Sequence, residues 1–224
     1  MKADVISVGA RGPLGLSALQ VTMCLRARKL EPRSTAFFDR RGQEIGMALS
    51  AGLGEKAYGF SRMLGLAAPA LAEAAAALPE VFVASEQQPL PTIVCLPEEG
   101  RADDAPPLAE RFVQSLATRS GVRLDLPRSS LVRLGQAGFG YALQRARDML
   151  DSGVHAVCVG GVDSYYHPQV LKQLDAEYRL HAMGADAGFI PSEAAAFLVL
   201  ARAKKSAARL GTIVDVEVAE ELSV

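Results

Sequence analysis

Apolar positions along this chain switch repeatedly between a strand-like and a helix-like period. Val5-Ile6-Ser7-Val8 is a short β-branched run closed by Gly9 and predicts a strand, and from Ser17 to Arg28 apolar residues recur at helical spacing behind a serine cap. Gly42, Gly46, Gly52 and Gly54 break the pattern between Phe37 and Leu53, leaving one short strand around Met47 to Leu49. Gly59 to Leu78 is dense in Ala and Leu and predicts a long helix, kinked at Pro69 and ended by Pro79. Thr92 to Leu96 is a continuous apolar run between prolines, the pattern of a strand buried on both faces. A polar surface loop from Pro97 to Pro107 follows.

Farther along, Leu108 to Thr118 returns to helical spacing, Val122 to Leu126 and Ser130 to Leu134 read as strands, and Gln136 to Asp151 is a patterned helix with Gly153 at its end. His155 to Val159 is a second buried strand, closed by Gly160-Gly161, and Pro168 to Tyr178 is a helix with proline at its start. Ala194 to Leu200 is strand-like, Lys204 to Leu210 is a short basic helix, and Thr212 to Val218 alternates as a closing strand. Strands alternating with helices predict an α/β fold, a mixed and mostly parallel sheet with helices on both faces. No linker or fixed repeat divides the chain, so residues 1–224 are expected to form one domain.

Composition narrows the functional classes. Half of the residues are apolar, which excludes a disordered chain, and 24 Lys+Arg stand against 25 Asp+Glu. The resulting charge of -1 lacks the footprint of a nucleic-acid binder. No run reaches the roughly 18 apolar residues of a membrane span, and the first residues lack the apolar core of a signal peptide. Cys24, Cys95 and Cys158 are an odd count with no CxxC pair, which fits a reducing, cytoplasmic setting without a disulfide or zinc framework.

Candidate chemistry is sparse. Gly9 to Gly15, GARGPLG, matches neither GxGxxG nor a P-loop, and Pro13 removes a backbone donor, so it reads as a tight turn. His155, His167 and His181 lack metal-ligand spacing. GxSxG is absent, Cys95 and Cys158 fall in buried strands, and Cys24 lies on a helix that looks core-facing. The informative segment is Leu131 to Leu143, LVRLGQAGFGYAL, where a strand runs through Gly135 into a helix opening at Gln136. Such a turn lifts its first helical residue above the sheet beside free backbone N–H groups. On residues alone, a tight turn whose small residues permit close packing is the favoured reading.

GQAGFGYALQRARDMLDSG followed by HAVCVGGVDS resembles the nucleophile turn, buried helix and Gly-Gly strand of the β-ketoacyl synthases of the thiolase superfamily. ADAGFIPSEAAAFLVLARAKKSAARLG resembles that family's Asp-x-Gly-Phe-like stretch before a Gly-Glu-Gly and an apolar strand, and VISVGARGPLGLSALQ its first strand and turn. Residues 30 to 120 match weakly. The resemblance implies a thiolase-like half. Gln136 then stands where active members carry the acylated cysteine, as in the chain-length-factor subunits of type II polyketide synthases, so the chain itself would supply no catalytic residue. Gly135, Gln136, Ala137, Gly138 and Phe139 would line the acyl site, with Phe139 filling the channel behind the turn. Gly160, Gly161, Asp163 and Glu193 would be structural, and Ser192-Glu193-Ala194 departs from Gly-Glu-Gly by two added Cβ atoms.

The family's catalytic histidines and lysine belong to a second half, and this sequence stops at Val224, near the strand that would close the first. Two roles follow from the resemblance. One is a non-elongating subunit in fatty-acid or polyketide-type synthesis, acting with an active ketosynthase and an acyl carrier protein. The other is an acyltransferase or malonyl-carrier-protein decarboxylase completed by a partner chain. No cofactor or metal is implied. A divergent domain that kept the fold and lost the chemistry, or a shortened chain, is the bland counterpart. The Gly59 to Leu78 and Gln136 helices are expected to expose apolar faces that a second copy or a ketosynthase would cover.

Overall fold

The computed structural model describes residues 2–78, 88–181, 188–202 and 209–219. Six strands form the main sheet: β1 (Ala3–Arg11), β4 (Thr92–Cys95), β5 (Ser130–Val132), β6 (Ala156–Ser164), β7 (Glu193–Arg202) and β8 (Gly211–Ile213). Their order is β5-β4-β6-β7-β1-β8. The mixed α/β architecture foreseen from the sequence is present. Parallel pairing is confined to β5, β4 and β6, whereas β6, β7, β1 and β8 pair antiparallel. The parallel share is thus smaller than strand–helix alternation implies, because β7 re-enters beside β6 running the opposite way.

Helices cover both faces. α2 (Gly59–Ala75) and α4 (Phe112–Ser120) pack over Ile6, Val94, Cys158, Phe197 and Val199, while α5 (Gly138–Asp151) covers Ile93, Cys95, Val157, Val159 and Leu200 on the opposite side. Successive residues of β4 and β6 therefore enter different cores, which is why both strands read as unbroken apolar runs. A hairpin of β2 (Arg33–Phe38) and β3 (Glu44–Met47) sits apart and packs Ile45 and Met47 against Val170, Leu171 and Leu174 of α6 (Pro168–Ala176). Two short helices complete the described elements: α1 (Ala18–Arg26), whose Ser17 cap accepts from the Gln20 N–H, and α3 (Pro106–Glu110).

Several local expectations change. Gly160-Gly161 do not close β6, which continues to Ser164, because these glycines serve close packing rather than a turn. A Cβ on Gly160 would lie 2.2 Å from the Phe197 ring and 2.3 Å from the Ala196 carbonyl oxygen, and one on Gly161 would lie 3.1 Å from the Cys95 Cβ. Gly9 behaves similarly, with the Ala70 carbonyl oxygen of α2 2.0 Å from where its Cβ would be. Val122 to Leu126 is no strand; it makes one bridge, Leu90 with Leu124, before a 3₁₀ turn at Leu126–Arg128. The closing strand shrinks to Gly211–Ile213. Most of the basic helix foreseen from Lys204 lies outside the described residues.

The apolar faces foreseen on two helices are not exposed. α2 buries nine side chains, including Arg62, Met63, Leu66 and Leu71, between β1, β7 and α4. α5 turns Ala142, Ala146 and Leu150 inward and Arg145 and Asp148 outward. Cys24 is half-buried on α1, which buries no side chain completely.

Gly160→Ala forces a methyl into a neighbouring ring and carbonyl, an overpacking that costs about 1–3 kcal/mol. Urea unfolding is expected to show that loss, while Gly46→Ala, whose added Cβ meets only the Pro32 Cβ at 3.9 Å, stays close to the parent.

Candidate functional site

β4, β5 and β6 run parallel, with β6 extending three residues past the end of β4, and a cleft of about 410 Å³ opens beyond their carboxyl ends. Open α/β sheets place ligand crevices at this location. β4 contributes Glu98 and Arg101 from the loop that follows it, β5 contributes Gly135 and Gln136, β6 contributes Asp163 and Tyr165, and Glu177 and Arg179 come from the residues after α6.

Gly135 is the pivot of the turn. It adopts φ +55°, and a Cβ there would lie 3.0 Å from Glu98 Oε2, so both backbone conformation and space favour glycine. Gly135–Ala137 form one 3₁₀ turn, and α5 itself starts at Gly138, two residues later than the sequence pattern places it. Gln136 and Ala137 are exposed, Gly138 is buried against Val132, and Phe139 is 38% exposed. The cleft thus gathers Gly135 and Gln136 with Asp163, whereas Ala137, Gly138 and Phe139 are not among the residues that line it.

No thiol occupies the turn. The nearest, Cys95, lies behind it at the end of β4, where burial pushes its pKa up to about 11; Cys158 is fully buried and shifted upward for the same reason. Both are protonated at neutral pH and poor nucleophiles. Gln136 supplies an amide, which donates and accepts hydrogen bonds without attacking a carbonyl.

The floor is an ion-pair network. Arg101 holds Asp103 through two hydrogen bonds of 2.6 and 2.9 Å and reaches Asp163 Oδ1 at 2.7 Å, which also accepts from the Ser164 N–H. Burial opposes the Arg101 charge, and the two carboxylates more than restore it. Burial raises the Asp163 carboxyl above its ordinary value, against the pull of Arg101. Alongside, Arg133 pairs with Asp104, whose carboxyl is lowered first by the Gly100 N–H and then by Arg133 itself. The loop read from sequence as merely polar therefore carries Arg101, with a side chain 7% exposed.

Glu193 lies at the start of β7, away from the cleft lining. Its carboxylate accepts from Arg62 Nε and Nη2, the Ser50 N–H at 2.9 Å and Ser164 Oγ at 2.8 Å. Arg62 also donates to the carbonyls of Gly54 and Ala57, and its guanidinium stacks 4.1 Å from the centre of the Tyr166 ring. Sequence reading missed Arg62, since an arginine in an Ala- and Leu-rich helix looks like a solvated position; its alignment with Leu66 and Pro69 on the apolar side was the available signal.

The sheet and its flanking helices have the thiolase-like fold of ketosynthases of known structure. The chain is similar to the ketosynthase from module 6 of the bacillaene synthase of Bacillus subtilis, with TM-score 0.62, 14% identity, and coverage of 90% of this chain and 39% of that one. It is similar also to the ishigamide ketosynthase/chain length factor (TM-score 0.61, 14% identity, 92% and 63% covered). A third is a type II PKS acyl-carrier protein in complex with its ketosynthase, bound to the hexaketide (TM-score 0.64, 16% identity, 89% and 58% covered). The chain spans 39% to 63% of the length of these three proteins. No protein-family model matches the sequence, and no curated protein does. Among the described residues, no helix is long and apolar enough to cross a membrane.

Removing either partner of the buried Arg62–Glu193 pair leaves an uncompensated charge, a loss of about 3–5 kcal/mol. Urea unfolding of Arg62→Ala and Glu193→Ala should show it singly, and the double variant should lose less than the sum.

Proposed function

We propose that the chain is a non-elongating ketosynthase-like subunit of acyl-chain synthesis, working beside an active ketosynthase and an acyl carrier protein. One observation carries the reading: the strand–turn–helix that opens on the cleft presents the Gln136 amide, with the nearest thiol buried and protonated behind it. The resemblance of GQAGFG to the chain-length-factor turn supports the same role, as does likeness to a ketosynthase/chain length factor. Gly135 and Gln136 shape the site, while Ala137, Gly138 and Phe139 follow them outside the cleft lining. Gly160, Gly161, Asp163 and Glu193 are structural in this reading, which treats residues 1–224 as one cytoplasmic domain.

The decarboxylase alternative finds less support. A malonyl carboxylate needs an available cation; of the two that line the cleft, Arg101 is committed to Asp103 and Asp163, and Arg179 stands 3.7 Å from Glu177. Glu98 and Glu177 line the same cleft and repel an anion.

Reconstitution with an active ketosynthase and an acyl carrier protein separates the readings. Product formation should require the chain, fall to background without it, and survive Gln136→Ala within about threefold, the scale of a lost neutral hydrogen bond. Carbon dioxide release from malonyl carrier protein that vanishes with Gln136→Ala would establish the alternative.

A further inference from the structure

α1 is a nine-residue helix that buries none of its side chains. Ala18, Val21 and Cys24 turn toward the body of the protein and are half-buried. Leu19 and Met23 point outward one turn apart, 70% and 63% exposed; Leu16, just before the Ser17 cap, is 43% exposed beside them, and Leu25, 64% exposed, lies off this row. Arg26 extends this row by one more step. Residues 16–33 carry four cations, Arg26, Arg28, Lys29 and Arg33, against the single carboxylate of Glu31. All four cations are exposed, and none joins an ion pair among the described residues. An outward apolar row on a surface helix is the anchor pattern of helix-in-groove recognition.

We propose that α1 is a docking ridge for an amphipathic helix of a different protein, whose apolar seam covers Leu16, Leu19 and Met23 and whose acidic flank faces the four cations. Charge opposes a second copy that would dock through its own α1. A two-fold pairing of α1 with itself brings eight cations together against two carboxylates, and like charges at an interface oppose association. A bilayer fits poorly as well. The row is narrow, Gln20 and Thr22 flank it, and it has no aromatic residue, whereas interfacial helices present a broad apolar face. The proposal goes beyond the thioester reading and does not depend on it, since no residue of α1 lines the cleft.

The test uses the full chain and fluorescence anisotropy with a labelled synthetic helix carrying Leu at its a and d positions and Glu at e and g. Binding should weaken with salt, and Leu19→Ser or Met23→Ser should weaken it about tenfold or more, the loss typical of a central anchor. Because these side chains are exposed, both variants should keep the parent's unfolding midpoint. A peptide with Lys in place of Glu should bind at least about tenfold more weakly to the parent. The Arg26→Glu/Arg28→Glu double variant should reverse that preference. Indifference to the Ser variants, or equal binding of the two peptides, overturns the proposal. A photo-crosslinker at Met23 that captures a second copy, or Met23-dependent sedimentation with phosphatidylglycerol vesicles, overturns it too.

Discussion

Burying an arginine and a glutamate together is costly unless nearly every donor and acceptor is satisfied, and that constraint organises the centre of this protein. Glu193 Oε1 and Oε2 accept from α2, from the segment after β3 and from the end of β6, and Arg62 Nη1 donates to the carbonyls of Gly54 and Ala57. Residues 131 positions apart in sequence are held within one hydrogen-bonded cluster. Its value to the fold lies in geometry. An apolar pair of the same volume could fill the space, but it would not specify where the segment at Ser50 meets the starts of α2 and β7.

Close backbone approach does the complementary work. Gly9 lets α2 settle on β1, and Gly160-Gly161 let β6 pass beneath Phe197 and beside Cys95. With β6 seated, its last residues bring Asp163 to Arg101, and this pair ties the loop after β4 to the strand beside it. The cleft is therefore a product of the core: Gln136 faces it because β5 is registered on β4 and because Gly135 alone can turn the chain against Glu98. A substitution far from the cleft that lifts β6 would move Asp163, and with it the loop that forms one wall.

Much of this was legible in residues. The unbroken apolar runs of β4 and β6, the serine cap of α1 and the Ala-rich pattern of α2 each carry a local signal that packing then obeys. The β2–β3 hairpin was largely missed because its strands alternate Arg33, Ser34 and Glu44 with few buried positions, and its core partner α6 lies more than 120 residues away. Gly160-Gly161 were misread as a stop, since glycine signals a turn or a close approach with the same letter. Of the cleft, the turn at Gly135-Gln136 was visible, whereas Glu98 and Arg101 were hidden in a loop whose composition looked merely solvated. Buried ion pairs between distant segments leave no periodic trace in a sequence.

The chemistry of the cleft and the surface of α1 point the same way for a physical reason. A reactive thiolate needs stabilising positive charge and partial exposure, and this chain spends its buried arginines on carboxylates while keeping its strand thiols in apolar surroundings. In the proposed docking, the exposed cations beyond the apolar row of α1 orient another protein instead of polarising a substrate.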